Sequence, residues 1–445
     1  MTDASHPDQI ALERVVEQTL SLARARGATA AEAGVGVSTG LSVTVRLGEV
    51  ETLEYQRDRS LGVTVYAGQR KGSASTANLS AAAVEETVAK ALSIASFTTD
   101  DEYAGLPDAA LMASHLPDLD LCHPWELDAK AAIELARRCE AAGLATDERI
   151  RNSEGASVST HRKFRVFGNS HGFIGGYPST SHSVSCVVLG QSDGDMQRDY
   201  WYTAARDWRV LEDIEEVGRK AARKAVERLG AGKLSTRKAP VLFAPDLARG
   251  LIGHFVGAIG GAAQYRRSSF LLDARGQQVF PEAISLIERP HIRGALGSAP
   301  FDSEGVATRD RELVVNGVLD GYLLDAYSAR KLGLVTTGNA GGVHNLVVQG
   351  HMLDPKTLLR KLGTGLLVTE MMGQGVNPVT GDYSRGAAGF WVENGGVARP
   401  VHEITVAGNL CEMYRDIVAQ GDDVDCRGAI HCGSLLIGEM TIAGD

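Results

Sequence analysis

Glycine constrains this chain more than any other feature. It supplies 51 of the 445 residues, above the ~7% of average proteins, and the excess is heaviest after about Gly250. Glycine serves tight turns and close backbone approaches, so the second half reads as strand-rich with functional loops. Two Asn-Gly pairs sharpen that reading. Asn316-Gly317 sits between Leu313-Val314-Val315 and Val318-Leu319, and Asn394-Gly395 between Trp391-Val392 and Val397. The favoured two-residue hairpin turn needs positive φ at both central residues, which Asn and Gly tolerate. Both pairs predict hairpins.

Helical spacing marks the first half. Gln9–Ala25 carries Ile10, Leu12, Val15, Val16, Leu20 and Leu22 on one pattern. Ser80–Phe97 follows with Ser80 as N-cap, then Leu127–Ala142, ended by Gly143. Leu211–Leu229 is amphipathic, with Glu215/Arg219 and Glu216/Lys220 as i,i+4 pairs. Alternation at Val43, Val45 and Leu47, at Leu61, Val63 and Val65, and along Arg151–Ala205 (including His182–Leu189) predicts antiparallel strands. The polar stretch Gly230–Lys238 reads as a linker before a strand at Ala239–Ala244 and a helix at Pro245–Ala262. The expectation is an α+β chain of two domains, 1–235 and 236–445, with antiparallel sheets packed against helices and a strand-rich second domain.

The net charge of −10 and the lack of a basic stripe speak against nucleic acid as a partner. No window approaches 18 apolar residues, so no membrane span is expected. The opening Met1–His6 has no leader-like run, and six scattered cysteines make no disulfide framework. A reducing, cytoplasmic protein is expected.

Five constellations could carry chemistry. The Pro245–Ala262 helix holds His254 but no Asp or Glu between Leu247 and Leu272, and a catalytic zinc needs several ligands plus a carboxylate base. Its default reading is a small-residue helix packed closely on a sheet. His402-Glu403 begins like H-E-x-x-H, but Val406 stands at the second His. Gly381-Asp382-Tyr383-Ser384-Arg385-Gly386 invites a nucleophile reading at Ser384, yet Asp382 replaces the first glycine of a nucleophile elbow. The default there is a binding loop or turn steadied by Asp382 with Arg385. Cys426, His431 and Cys432 are potential soft ligands near the C-terminus. Asp302 and Glu304 form a carboxylate pair near Arg309 and Arg311, read by default as a solvated or salt-bridged loop.

Several ordered stretches together resemble the TldD/PmbA family, in its PmbA (TldE) branch. They are Tyr265-Arg266-Arg267-Ser268-Ser269-Phe270-Leu271, Phe301-Asp302-Ser303-Glu304-Gly305-Val306, Ser328-Ala329-Arg330-Lys331-Leu332-Gly333, and the run from Gly373 to Gly386 continuing through Phe390-Trp391 to Ile404–Leu410. The resemblance implies a two-chain zinc peptidase acting on unfolded peptides, linked to microcin maturation and antitoxin turnover. Its zinc would lie in a TldD-like sister on an H-E-x-x-x-H helix with a further cysteine. At the register in which His254 takes the first His, Phe255 and Ile259 fall on the Glu and second-His positions. The implied role is therefore a non-catalytic subunit with no catalytic residue, metal or cofactor of its own. It would pair with the sister, or with itself when alone. Gly381, Asp382, Tyr383, Ser384, Arg385, Gly386 and Phe390 are the candidate substrate or interface residues. His254 stays open as a relic, a core histidine or a contact to the sister. The rival readings are a regulatory protein acting on gyrase-linked processes and a self-sufficient hydrolase using Ser384.

Overall fold

A computed structural model describes residues 7–444. The opening Met1–His6 lies outside the described residues. In chain order the elements are α1 (Pro7–Ala25), β1 (Ala30–Arg46), β2 (Glu49–Ala67), β3 (Arg70–Thr76), α2 (Ala81–Phe97), α3 (Ala129–Leu144), β4 (Ile150–Asn169), β5 (Ile174–Ser192), β6 (Asp195–Ala205) and α4 (Ile214–Glu227). There follow β7 (Arg237–Phe243), α5 (Pro245–Ala258), α6 (Gly261–Tyr265), β8 (Ser285–Glu288), β9 (Arg311–Val315), β10 (Val318–Leu319), α7 (Ala326–Lys331), β11 (Leu346–Gln349), β12 (Met352–Leu353) and α8 (Pro355–Leu362). The last are β13 (Gly365–Met372), β14 (Asp382–Glu393), β15 (Gly396–Asn409), α9 (Leu410–Arg415), β16 (Ile417–Gly421), β17 (Ile430–His431) and β18 (Leu435–Ala443). The fold is α+β, and the region after Arg237 is rich in strands.

The first sheet runs β3-β2-β1-β4-β5-β6, every pair antiparallel. One face of it is apolar. α1 and α2 cover Ala31, Ala33, Val35, Leu61, Val63 and Val65, while α3 and α4 cover Leu41, Val43, Val45, Val158, Val184 and Val188. The other face is small and polar, with cross-strand hydroxyl pairs Ser42–Ser159 at 3.0 Å and Thr44–Ser157 at 2.9 Å.

Local signals place most helix ends. Ser80 accepts from the Ala83 N–H as expected of an N-cap. Gly143, expected as a stop, lies inside α3. A Cβ on its neighbour Gly218 in α4 would meet the Cys139 carbonyl at 2.0 Å, so these glycines let two helices touch backbone to backbone. α4 begins at Ile214 rather than Leu211, because Asp213 caps it by accepting from the Glu216 N–H. Glu215–Arg219 forms as expected, but Lys220 turns to Glu212 and Glu216 to Arg223. Leu47 is a turn residue at φ 50, not a strand residue.

The second half holds two sheets. One runs β10-β9-β8-β11-β17. In the other, β18 pairs with β15 and with β7, so β7, β13, β14, β15 and β18 close into a barrel, extended by β16 and β12. Both Asn-Gly pairs turn hairpins as expected. Asn316 and Gly317 take φ 47 and 79, Asn394 and Gly395 φ 52 and 75. The barrel interior and the cover of α5 form one large core.

Arginines sew the halves together. Arg206 donates to the carbonyls of Ala295 and Leu296 at 3.0 and 2.7 Å. Arg330 donates to those of Tyr103, Gly105 and Leu106. Arg228 joins Asp199 to Glu370.

Candidate functional site

Strand β7 feeds directly into α5, with Pro245 at its first turn, where a missing N–H costs nothing. Ala248, Leu251, Ile252, Phe255 and Ala258 form its buried stripe. Phe255 packs edge-on to Phe280 and Tyr414, at centroid distances of 5.0 and 6.0 Å, and Tyr414 donates its hydroxyl to the Leu251 carbonyl at 2.7 Å. Ile259 is fully buried. The helix ends there, not at Ala262, because Gly260 turns extended to pair with Leu323.

The opposite side of α5 is bare. A Cβ on Gly250, Gly253 or Gly257 would meet nothing within 4 Å. The apolar stripe packs as a core helix should, but the glycines face open space rather than a sheet. His254 lies beside them, half-buried, its ring edge-on to Tyr383 at 6.2 Å. Burial, and then the charge of Arg385, hold its pKa below the ordinary value, so it is neutral at pH 7. Burial likewise pushes the Tyr383 hydroxyl up to about 12, against the opposing pull of Arg385.

The stretch Gly381–Phe390, expected as a loop, is mostly strand β14, paired with β13 and β15. Its glycines reflect crowding. A Cβ on Gly389 would sit 2.0 Å from the Leu367 carbonyl. Gly381 makes the entering turn at φ 81. Tyr383 is buried while Ser384 is exposed, as alternation along a strand requires. Ser384 thus points away from the face where Tyr383 meets His254, and the two do not assemble a nucleophile and base. Asp382 and Arg385 do not pair. Asp382 accepts from the Thr380 hydroxyl and the Asn409 amide, and Arg385 donates to the Gly373 carbonyl. Gly386 and Phe390 are partly exposed further along β14.

Near the first turns of α5, Asp425 is clamped by Arg249 at 2.9 Å and by Arg427 at 3.0 Å. Burial alone would raise this carboxyl, but the two guanidinium partners win and leave it below its ordinary range. Arg427 also lies over Trp201 and Tyr202, 4.5 and 4.1 Å from the ring centroids, and donates to the Tyr202 carbonyl at 2.6 Å. A cavity of about 430 Å³ opens between the halves here, lined by Trp201, Lys224, Pro245, Asp246, Thr369 and Cys426 among others. Sequence reasoning missed this cavity; the run Tyr200-Trp201-Tyr202 was its one local signal. Cys426 is exposed, but burial of its thiol, then Asp425, raise its pKa, so it is no activated nucleophile. Cys432 is buried with its thiol toward the Gly433 carbonyl at 3.2 Å.

The other constellations are structural. Asp302 is buried, not solvated, and accepts the N–H groups of Glu304, Val306 and Ala340. Burial still raises it to about 6, and raises Glu304 to about 7 although Glu304 accepts the Ala326 N–H. Arg311 pairs with Glu288 instead of with either. Glu403 sits in a bulge of β15 at φ 51, exposed, 3.5 Å from Lys233.

Models described as PmbA/TldA metallopeptidase domain 1, central domain and C-terminal domain match residues 31–95, 122–229 and 236–444. The chain belongs to the PmbA/TldD family. It is 52% identical over 433 residues to Metalloprotease PmbA of Escherichia coli O157:H7, covering 97% of this chain and 96% of that protein. It is 23% identical over 436 residues to Metalloprotease TldD homolog of Haemophilus influenzae, covering 89% of each. A crystal structure from Bacteroides thetaiotaomicron, described as that of a candidate modulator of DNA gyrase, superposes with a TM-score of 0.93 at 28% identity and 99% coverage of both chains.

A metallopeptidase family implies a metal, and the residues here do not fit one. Among the described residues no three His, Cys, Asp or Glu side chains converge to hold an ion. His254 has no carboxylate neighbour on its helix, and Phe255 and Ile259 point into the core.

Proposed function

We propose that this chain is the non-catalytic subunit of a two-chain metallopeptidase for unfolded peptides, completing the substrate chamber of a zinc-bearing, TldD-like sister. The observation that carries the reading is α5: it follows its strand as a metal-binding helix would, yet Phe255 and Ile259 are core residues packed on Phe280, Tyr414 and their neighbours. Kinship with proteins named PmbA and TldD supports a role within this peptidase family. The bare glycine side of α5 and the cavity beside Trp201 offer space for extended chain without side-chain selection. Among the described residues no helix is long and apolar enough to cross a membrane, and a cytoplasmic site of action is part of the proposal, as are peptide maturation and antitoxin turnover.

The test is co-purification with a TldD-like chain, followed by cleavage of an unfolded peptide with and without chelator. The expected result is chelator-sensitive cleavage by the pair and none by this chain alone. Zinc-dependent cleavage by this chain alone overturns the reading.

A further inference from the structure

The two helix pairs leave a gap on their face of the first sheet. α1 and α2 bury β1 as far as Val35, and α3 and α4 take over at Leu41. Thr39 lies between, exposed. In register it stands between Arg57 of β2 and Arg162 of β4. The Cα atoms of the two arginines are thus two strand spacings apart, about 10 Å. That is close enough for both guanidinium groups to meet one ligand above Thr39. Alternation along the strands sorts the charges. Glu54 and Asp58 fall on the opposite face, while Arg57 and Arg59 share this one with Arg162. Among the described residues none of the three forms an ion pair; Arg162 reaches the Cys122 thiol instead. In a chain of net charge −10, three arginines stand together without an acid and repel one another.

A cleft of about 270 Å³ opens here, lined by Thr39, Tyr55, Trp125, Thr160, Arg162 and His182 among others. Trp125 stacks on Trp208 at 5.6 Å and meets the His182 ring edge-on at 5.7 Å, so its ring is held in place. Tyr55 is 70% exposed. Much of the polar lining is already engaged. The Thr160 hydroxyl and His182 Nδ1 share a hydrogen bond of 2.9 Å, His182 Nε2 bonds the His123 carbonyl at 2.9 Å, and the Thr180 hydroxyl donates to the Arg206 carbonyl at 2.7 Å. The Thr39 hydroxyl and the guanidinium groups remain for a ligand. Two such forks match an oxyanion, and the aromatic walls match a ring or a large apolar group attached to it. Glu126, the one carboxylate in the lining, is exposed at the rim. Its charge counts against a phosphate dianion and in favour of a carboxylate.

Size and surroundings narrow the ligand further. The cleft is smaller than the roughly 300–1,000 Å³ of small-molecule sites, which suits a single residue at a chain end. Beside it β2 pairs with β1 throughout, but β3 covers only Leu61–Ala67. Thr52–Ser60 therefore keeps backbone groups with which an extended chain can pair on its way in. We propose that Arg57, Thr39 and Arg162 hold the free C-terminal carboxylate of an extended peptide, with its last side chain, aromatic or large and apolar, between Tyr55 and Trp125. The inference rests on the reading of unfolded peptides as ligands and adds which end of them is grasped.

Fluorescence anisotropy of the full chain with an unstructured peptide, labelled at its N-terminus and ending in phenylalanine, tests it. The free acid should bind at least tenfold tighter than the C-terminal amide of the same peptide. Arg57→Gln and Arg162→Gln should each weaken the acid at least fivefold and leave the amide unchanged. N-acetylphenylalanine should compete, and N-acetylphenylalaninamide should not. Unchanged melting temperatures certify the fold of each variant, and Arg57, being exposed, serves where Arg162→Gln fails to fold. Equal binding of acid and amide overturns the inference and leaves the peptide reading standing. Arginine variants that weaken acid and amide alike do the same. Phenyl phosphate competing better than N-acetylphenylalanine overturns the carboxylate. Binding of neither peptide overturns the inference too, and cleavage by the pair with the TldD-like sister then decides the peptide reading separately.

Discussion

In the C-terminal half β18 bonds to β7 on one side and to β15 on the other, and five strands form a ring. In the N-terminal half β2 leaves Glu49–Ser60 with one neighbour. A closed barrel has no edge to offer, so the motif-dense β14 cannot accept an added strand however conspicuous its sequence. The open sheet can. Closure also concentrates stability: the ring and α5 share a single core, whereas the first sheet divides its apolar face between two helix pairs.

Four measurements break or sharpen this contrast. The largest effect belongs to Phe255→Ala, which empties space between Phe280 and Tyr414 and should cost about 3–5 kcal/mol of unfolding free energy. Tyr55→Ala on the open edge should change the monomer's by under about 0.5 kcal/mol; equal costs in urea denaturation would erase the distinction. Arg427→Ala attacks the seam between halves. It leaves Asp425 buried with Arg249 as its charged partner and should cost about 3 kcal/mol in thermal unfolding, and Arg427→Lys should not restore it, because the paired contacts of the guanidinium are lost.

The third is a pH profile. Asp302 and Glu304 titrate at about 6 and about 7 when folded, above their ordinary 3.8 and 4.5. The unfolded chain ionises first as pH rises, so the stability held below pH about 4 is lost progressively up to about 7. The loss should be on the order of 1–2 kcal/mol after discounting for screening, read from denaturation midpoints, and Glu304→Gln should flatten the upper part of the curve. The smallest effect is Glu215→Ala, which removes the exposed pairs with Arg219 and Arg138 and should cost about 0.5 kcal/mol.

What the sequence announced was local. Asn316-Gly317 and Asn394-Gly395 dictate their turns by backbone preference alone, and Ser80 marks its helix start. What it concealed was distant or disguised. The β7–β18 pairing joins residues about 200 apart, which no window reads. The first part of β14, up to Phe390, passed for a loop because its glycines suit turns, although Gly389 is there for the approach of Leu367. That Leu247–Leu272 holds no Asp or Glu is a fact of composition, legible without any structure. The Asp425 clamp was not, since Arg249 reaches it from 176 residues away, although Arg427 stands only two residues on.

The burial of Phe255 and Ile259 has a consequence for anyone seeking to give this chain a zinc site. Phe255→Glu with Ile259→His restores the letters of the motif but not its chemistry. The new carboxylate would stand among Phe280 and Tyr414, where ionisation is costly, and would stay protonated as neither ligand nor base. The helix would have to turn about its axis before the substitutions could act, and a core packed on both residues opposes that turn. A site can be built residue by residue on a surface; where packing occupies its place, each substitution must first displace the core.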